Sequence, residues 1–450
     1  MVEKISYYFK GHTRGAKAKR QILYSFAIQG LSIIIGLLYV PLMLDYLTQE
    51  KYGIWLTLTS ILGWFSFFDI GMGNGLRNKL TEAFANKDFT YGKKLVSTTY
   101  ALLIAIFCTV LFIFHLSNFF LNWNSILNTK TMDNRELYIL TSIVFTFFII
   151  QFIVQIISVV FLADQRPSIT KLITTVSNLF SFIIVLVLTR ITVSGNLILL
   201  GSIISAVPVL LFIVVTIVAF NKNYRKIKPS FIDIDFSVSK GLLTLGARFF
   251  FMQVAFIIIF TTSNIFITQF YGPAEVAVYN IAYKYFQIPI MIFSIFMIPI
   301  WSAVTDAYAK SDFLWLRKTL FYTNILSGIF AIGVVFMVFL SNWIYKLWIG
   351  NDIVIPFSLT VVFGIYTVLK LIIAPYSNFI NGIGKLKLSV IITFFEIALY
   401  LILVFIFGKL FDNSTGIVLA IAATGILLWF IQPIQTYKLI NQTATGIWNK

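Results

Sequence analysis

The chain has 450 residues, of which 59% are apolar, 17% aromatic and 11% charged, with a formal net charge of +17. A soluble domain carries about 45–50% apolar and about 25% charged residues. With a mean hydropathy of +0.91 this chain has too few charges to solvate its own surface, which excludes a soluble enzyme.

The apolar residues come in long uncharged runs without heptads or a glycine period, so coiled coil, collagen and disorder are excluded as well. A run such as 99–114 (TYALLIAIFCTVLFIF) also lacks the alternation of a porin strand. At about 20 residues per crossing, the sequence reads as an all-α polytopic membrane protein with twelve transmembrane helices. The predicted spans are 22–47, 51–76, 95–118, 137–163, 167–189, 196–220, 241–270, 275–305, 315–341, 352–381, 386–408 and 413–437. Cys108 lies inside the third, as an inert lipid-facing thiol. His12 and His115 read as interfacial residues, without metal-ligand spacing around them.

Charge sets the orientation. A basic start (Lys4, Lys10, Arg14, Lys17, Lys19, Arg20) precedes an apolar run too long for a signal-peptide core of about 7–15 residues. With that start inside, 25 of the 34 basic residues fall on inner segments and six on outer ones. The remaining three, Arg248, Lys284 and Lys370, fall within spans. The bias predicts that both termini are cytoplasmic, and it explains the basic pI without nucleic acid as a partner. The predicted organisation is a basic segment 1–21, an N-lobe 22–220, a cytoplasmic linker 221–240, a C-lobe 241–440 and a tail 441–450. No loop approaches the ~50 residues of a small domain.

The two predicted lobes share an internal repeat. Residues 80–94 (LTEAFANKDFTYGKK) align with 304–318 (VTDAYAKSDFLWLRK) at a shift of 224, with six of fifteen positions identical. Both copies follow the second helix of a six-helix half, so the halves have the same orientation in the membrane. Parallel repeats of this kind mark transporters in which two bundles move about a site between them. The plainer reading, a charged cap after the second helix of each half, explains the residues but not the duplication.

The passage around the first copy, FFDIGMGNGLRNKLTEAFANKD (Phe67 to Asp88), follows YLTQEKYGIW (Tyr46–Trp55). Its specific part is Asp69, Gly71, Gly73, Asn74, Gly75 and Arg77 followed by Asn78, Lys79 and Leu80. This pattern resembles the Wzx-type O-antigen and polysaccharide repeat-unit flippases of the multidrug/oligosaccharidyl-lipid/polysaccharide exporter superfamily. The second copy, PIWSAVTDAYAK (Pro299–Lys310), has none of these glycines.

The resemblance implies a V-shaped, two-lobed helical protein with a central cavity in a bacterial inner membrane. It would carry undecaprenyl-diphosphate-linked oligosaccharide from the cytoplasmic to the periplasmic leaflet by alternating access, in O-antigen or lipopolysaccharide biosynthesis. No cofactor or ATP hydrolysis is implied, and the chain has no G-x-x-x-x-G-K-[ST] run. Membrane lipid is a further partner, and contact with a polymerase or chain-length regulator is left open. The glycines themselves read locally as either a loosened helix end or a Gly/Asn cap leading into Asn78-Lys79.

Charges within spans cost about 2.5–3.5 kcal/mol on an insertion scale, so they normally face a cavity or a partner. Five stand out: Asp69, Arg248, Lys284, Lys370 and Glu396. Helical spacing groups Asn280, Lys284 and Gln287 on one face, Ser389, Thr393, Glu396 and Tyr400 on another, and Lys370, Ser377 and Asn381 on a third. Gln29 with Ser25, Ser32, Gly36 and Tyr39, and Gln151 with Gln155 and Ser158, do the same in the N-lobe. These stripes read as the polar lining of a cavity or as hydrogen bonds between packed helices. In the cavity reading Arg248, Lys284 and Lys370 bind the diphosphate. Asp69 and Glu396 are candidates for coupling to H⁺ or Na⁺, with an ion pair of Glu396 and Lys370 as the simpler alternative.

Competing readings are a drug or cation antiporter of the same superfamily, a membrane polysaccharide polymerase or ligase, and a scaffold for glycan assembly. A cavity with three bases against two acids argues against a cation substrate. Short outer loops argue against an enzyme.

Overall fold

In hydrocarbon a backbone N–H or C=O has no water to bond, so an apolar run must close its hydrogen bonds within itself as a helix. The computed structural model follows that rule. It describes residues 14–65, 72–164, 166–192, 195–238 and 262–449, and all regular structure among them is helical.

In chain order the helices are α1 (Arg14–Tyr46), α2 (Gln49–Trp64), α3 (Met72–Ala85), α4 (Phe89–Asn118), α5 (Asn134–Ala163), α6 (Pro167–Ile191) and α7 (Leu197–Asn221). Three 3-10 turns follow at Arg225–Ile227, Phe231–Asp233 and Phe236–Val238. Then come α8 (Thr262–Tyr271), α9 (Pro273–Ala309), α10 (Phe313–Ile349), α11 (Phe357–Ile383), α12 (Lys387–Leu410) and α13 (Thr415–Ile440). Among the described residues nine helices are long and apolar enough to cross a membrane. Their outward faces carry large exposed apolar side chains such as Phe112, Leu116, Phe336 and Phe339, a pattern that lipid rather than water accommodates.

Several boundaries differ from the sequence reading. The predicted span 51–76 is covered by α2 and the start of α3, with 66–71 outside the described residues, and of 241–270 only α8 is described. α1 begins at Arg14, within the basic segment. α5 turns at Gln155, whose amide donates to the Gln151 carbonyl at 2.9 Å while its own carbonyl accepts from Ser158 N at 2.8 Å. The Gly/Asn cap expected near Asn78 is corrected. Gly73, Asn74 and Gly75 lie in the first turn of α3, and the helix runs on to Ala85. Hydropathy falls where the sequence turns polar, but the helix continues until its carbonyls find other partners.

Those partners are supplied by the repeated segment. Lys87 takes a left-handed φ of 56°, which turns the chain so that Asp88 N donates to Ala83 O at 2.9 Å. The Asp88 carboxylate then accepts from Tyr91 N at 2.9 Å and caps α4. The second copy repeats each step: Ser311 has φ 57°, Asp312 N donates to Ala307 O at 2.9 Å, and Asp312 accepts from Trp315 N at 3.0 Å to cap α10.

The chain divides into two units, one of Met1–Thr48 with Leu58–Val254 and one of Gln49–Thr57 with Ala255–Lys450. Within the first, α1 packs on α6, α7 on α5 and α6, and α3 on α4 and α5. Within the second, α11 is central, flanked by α9, α10 and α13, while α12 packs on α13 and α8. The first half of α2 belongs to this second unit. Gln49 Nε2 donates to Ala274 O at 3.0 Å, and Thr57 Oγ1 shares a 2.6 Å hydrogen bond with Thr268 Oγ1. Gly53 permits the approach, because the Pro273 carbonyl occupies the place where a Cβ would stand.

Candidate functional site

Four helices of the second unit each carry two buried or half-buried polar residues one helical turn apart, so each shows both members of its pair on one face. The pairs are Asn264 and Thr268 on α8, Asn280 and Lys284 on α9, Tyr366 and Lys370 on α11, and Glu396 and Tyr400 on α12. Tyr52 and Thr57 join them from the first half of α2.

Contacts between helices link the pairs. Asn280 Nδ2 donates to Asn264 Oδ1 at 2.9 Å and to Val276 O at 2.8 Å. Ser263 Oγ and Tyr400 Oη share a 2.8 Å hydrogen bond. Lys284 is half-buried, and its Nζ donates to the buried Tyr52 hydroxyl at 3.4 Å. Lys370 Nζ lies 5.2 Å from the centre of the Tyr366 ring, a cation–π contact. Glu396 is only 6% exposed, and its Oε1 has no hydrogen-bond partner among the described residues. Tyr366 lies within electrostatic reach of that carboxylate. Tyr279 stacks on Tyr283 at 6.0 Å and packs on Phe363 at 5.4 Å, forming an aromatic wall beside these groups.

Such an arrangement has defined chemistry. A lysine held by a phenol keeps donors for an anion. A buried carboxyl with an open oxygen can take a proton or a cation, a common arrangement where membrane proteins move ions.

The sequence-predicted residues divide as follows. Lys284, Lys370 and Glu396 lie in the second unit with Asn280, and Gln287 and Asn381 are half-buried there. Asn280 spends its amide on helix packing. Ser377 spends its hydroxyl the same way, on Gln432 Oε1, while the Thr393 hydroxyl bonds back within its own helix to Ser389 O at 2.9 Å. Gln29 on α1 and Gln151 and Gln155 on α5 are half-buried in the first unit. Gly75 is buried and Arg77 exposed on α3. Asp69, Gly71 and Arg248 lie outside the described residues.

Sequence reasoning missed Tyr52, Ser263, Asn264 and Tyr366. An asparagine or tyrosine four residues before a threonine or lysine on an apolar helix is the signal that finds Asn264 and Tyr366; Tyr52 and Ser263 carry no such mark.

Among the described residues, the ion pairs of the first unit gather at one end. Lys93 and Lys94 on α4 hold Asp233 and Asp235 of the loop after α7 at 2.6 and 3.0 Å. The Lys93 hydrogen bond holds the Asp233 carboxyl below its ordinary range. The Ser237 hydroxyl, with Lys94, brings Asp235 down to about 2. Beside them Tyr224 donates to Asp164 Oδ2 at 2.7 Å, and burial, with that carboxylate, pushes its hydroxyl up.

With these features in place, comparison with known proteins is decisive about family. The profile described as polysaccharide biosynthesis protein matches residues 18–304, well over half of the chain. The chain belongs to that family. A second profile, MatE, matches residues 249–406.

A Salmonella typhi protein named for O-antigen transport is 24% identical over 365 residues, covering 79% of this chain and 81% of its own. Among solved structures, an inward-facing multidrug resistance MATE family transporter of the MOP superfamily superimposes with a TM-score of 0.75 at 14% identity, over 94% of this chain and 100% of that one. The lipid II flippase MurJ in an inward closed conformation gives 0.69 at 16% identity, over 94% and 90%. At these identities the structures establish the fold that this family member shares with them. The family resemblance read from Asp69 to Arg77 is borne out.

Proposed function

We propose that the chain is a flippase for a lipid-linked oligosaccharide, an O-antigen or related repeat unit carried on undecaprenyl diphosphate. In this reading it moves the unit from the cytoplasmic to the periplasmic leaflet of a bacterial inner membrane. Twelve spans form two six-helix lobes, 22–220 and 241–440, joined by the linker 221–240. The lobes are related by the parallel repeat and open alternately to either side. Both termini are cytoplasmic, and any dependence on H⁺ or Na⁺ runs through Asp69 or Glu396.

Family membership and the name of the Salmonella relative support this reading. The observation that carries it is the lysine pair in the second unit, with Lys284 on Tyr52 and Lys370 over Tyr366. A diphosphate cannot cross hydrocarbon without groups that replace its hydration. Two membrane-level ammonium groups held by phenols, with Arg248 as a third cation in the same predicted lobe, supply that replacement. Hydroxyl, amide and aromatic groups take the sugars, and the polyprenyl tail stays in lipid.

The MatE match favours a drug or cation antiporter as the second reading. Its cargo would meet these cations as repulsion. The enzyme reading loses ground on the outer segment 119–133, whose polar groups serve each other. Trp123 Nε1 donates to Asn118 Oδ1 at 2.6 Å, and Asn124 Nδ2 to Met132 O at 2.7 Å.

The test measures which leaflet holds the lipid-linked unit in cells lacking the protein and again with it restored. Accumulation on the cytoplasmic face, relieved by the intact chain, is the expected result. Lys284→Ala should slow export roughly tenfold or more, since a hydrogen bond to a charged group is worth about 1.5–3 kcal/mol, and Lys284→Arg should retain most of it. Units that reach the outer face without the protein would overturn the reading.

A further inference from the structure

The loop that leaves α7 is fixed in place against α4. Tyr224 and Ile227 are buried, the Ser230 amide donates to Ser97 Oγ at 3.0 Å, and the Asp235 amide donates to Thr98 Oγ1 at 2.9 Å. The ion pairs of Lys93 and Lys94 add two more attachments. Held this way, the loop still leaves Phe231 92% and Ile232 95% exposed. Each such side chain left in water forgoes the free energy of burial, so a fixed loop that displays two of them side by side points to a partner for them.

Depth along α4 identifies the partner. Its 30 residues span about 45 Å, close to the ~40–45 Å of a bilayer with its headgroups. Ser97 and Thr98 lie about 12–14 Å along it from Phe89. There the polar start FTYGKKLVSTTY gives way to the apolar run from Ala101. The loop tip is therefore level with the boundary between headgroups and acyl chains, where interfacial segments bury their apolar side chains.

Charge beside the tip agrees. Phe84 and Phe89 on one side and Lys222, Arg225 and Lys226 on the other line a cavity of about 570 Å³. The Lys226 ammonium lies 4.7 Å from the centre of the Phe89 ring. Among the described residues no carboxylate lines this cavity, and Asp233 and Asp235 are engaged by Lys93 and Lys94. Three cations lining one cavity with two aromatic rings at headgroup depth fit the phosphate of a lipid headgroup.

We propose that the loop 222–238 is a lipid anchor: Phe231 and Ile232 enter the adjoining leaflet while Lys222, Arg225 and Lys226 bind the phosphate of an anionic phospholipid in the cavity beside them. The anchor is independent of the cargo. It fixes the first unit to its leaflet and makes activity sensitive to the anionic lipid content of the membrane.

The test uses the full chain. In a Cys108→Ser background, Ile232→Cys carries an environment-sensitive fluorophore, with Phe236→Cys as a second position. Each is reconstituted in phosphatidylcholine vesicles with or without phosphatidylglycerol. A nitroxide just below the lipid headgroup should quench the label at 232, and aqueous iodide should not. In detergent, the unlabelled chain should bind phosphatidylglycerol in preference to phosphatidylcholine and to inorganic phosphate. Arg225→Ala with Lys226→Ala should weaken that binding about fivefold per residue removed, the attraction of one basic group to an anionic surface. Both residues are exposed, so the fold should tolerate the change. Iodide reaching the labels where the nitroxide does not would overturn the proposal and make the tip a docking point for a water-soluble protein. Unchanged phosphatidylglycerol binding in the double variant, or inorganic phosphate binding as tightly, would overturn the headgroup assignment.

Discussion

The two copies of the repeated corner turn the chain in the same way and fill the space beside the turn differently. At Ala83–Asp88 and Ala307–Asp312 the left-handed residue, the return hydrogen bond of 2.9 Å and the aspartate cap coincide step for step. Four residues past each aspartate the copies part, with Gly92 in the first and Leu316 in the second. Leu316 is fully buried and packs with Val304, Ala307, Leu320, Phe379 and Ile440, so the second corner fills its own space. Gly92 leaves that space to a residue from elsewhere in the chain: a Cβ there would meet Ile227 Cγ2 at 3.2 Å and Leu80 Cδ1 at 3.3 Å. Backbone geometry is thus common to the two corners. A single side chain decides whether a corner is self-sufficient or holds a loop, and only the glycine copy holds the basic, apolar-tipped loop.

The strongest way to break this comparison is to empty the second corner. Leu316→Ala should destabilise the second unit by about 2–5 kcal/mol, the cost of a core Leu→Ala change with its cavity, read as a fall in denaturation midpoint of the purified protein. A loss under about 1 kcal/mol would show that the corner does not depend on its own leucine. The converse change overfills the first corner. Gly92→Leu should cost about 1–3 kcal/mol by overpacking and should expel Ile227, seen as faster hydrogen exchange and protease cleavage across 225–238 with α4 still protected. If the loop stays protected, Gly92 is not what admits it.

A smaller effect tests what the corners share. Asp88→Ala and Asp312→Ala should each cost about 1 kcal/mol, the typical value of an N-cap, and the two losses should be alike. Unequal losses would mean that the caps are coupled to the different packing beside them.

Hydropathy made the helical, membrane-spanning character legible, because transfer cost is local and adds along the chain. The repeat at the corner was legible for the same reason, as a match between two short segments, whereas the aspartate caps and the left-handed Lys87 and Ser311 came from the structure. The family pattern from Asp69 to Arg77 was readable, but its cap was not, since the end of α3 is set at Lys87, well past the polar stretch. Who faces whom was not legible. Asn280 lies on the face predicted from its spacing, yet it bonds Asn264 on α8, and periodicity along one helix does not name a partner on another. The assignment of Gln49–Thr57 to the second unit, and with it Tyr52 as the partner of Lys284, rests on Gly53 meeting Pro273, a contact between residues 220 positions apart.

The finest probe of the difference between corners is pH, because the loop-holding corner carries two ion pairs to its loop. The Asp235 carboxyl is held at about 2, first by the Ser237 hydroxyl and then by Lys94, against an ordinary 3.8. The Asp233 carboxyl is lowered by Lys93. A carboxyl depressed in the docked state contributes to docking fully above its ordinary value and loses that contribution as pH falls through the depressed one. The loop should therefore stay docked at neutral pH and loosen between about 3.8 and about 2, with both pairs exposed enough that salt weakens them as well. Hydrogen exchange of 225–238 against pH, with the amides of α10 as an internal reference, reads this directly. Lys93→Met with Lys94→Met should flatten much of the pH dependence, leaving the part due to Ser237. At the second corner Arg317 and Lys318 are exposed, and their replacement should leave the exchange of α10 unchanged over the same range. A loop equally protected at pH 2 in the parent and in the lysine double variant would show that Ile227 in the space beside Gly92 holds it without the charges.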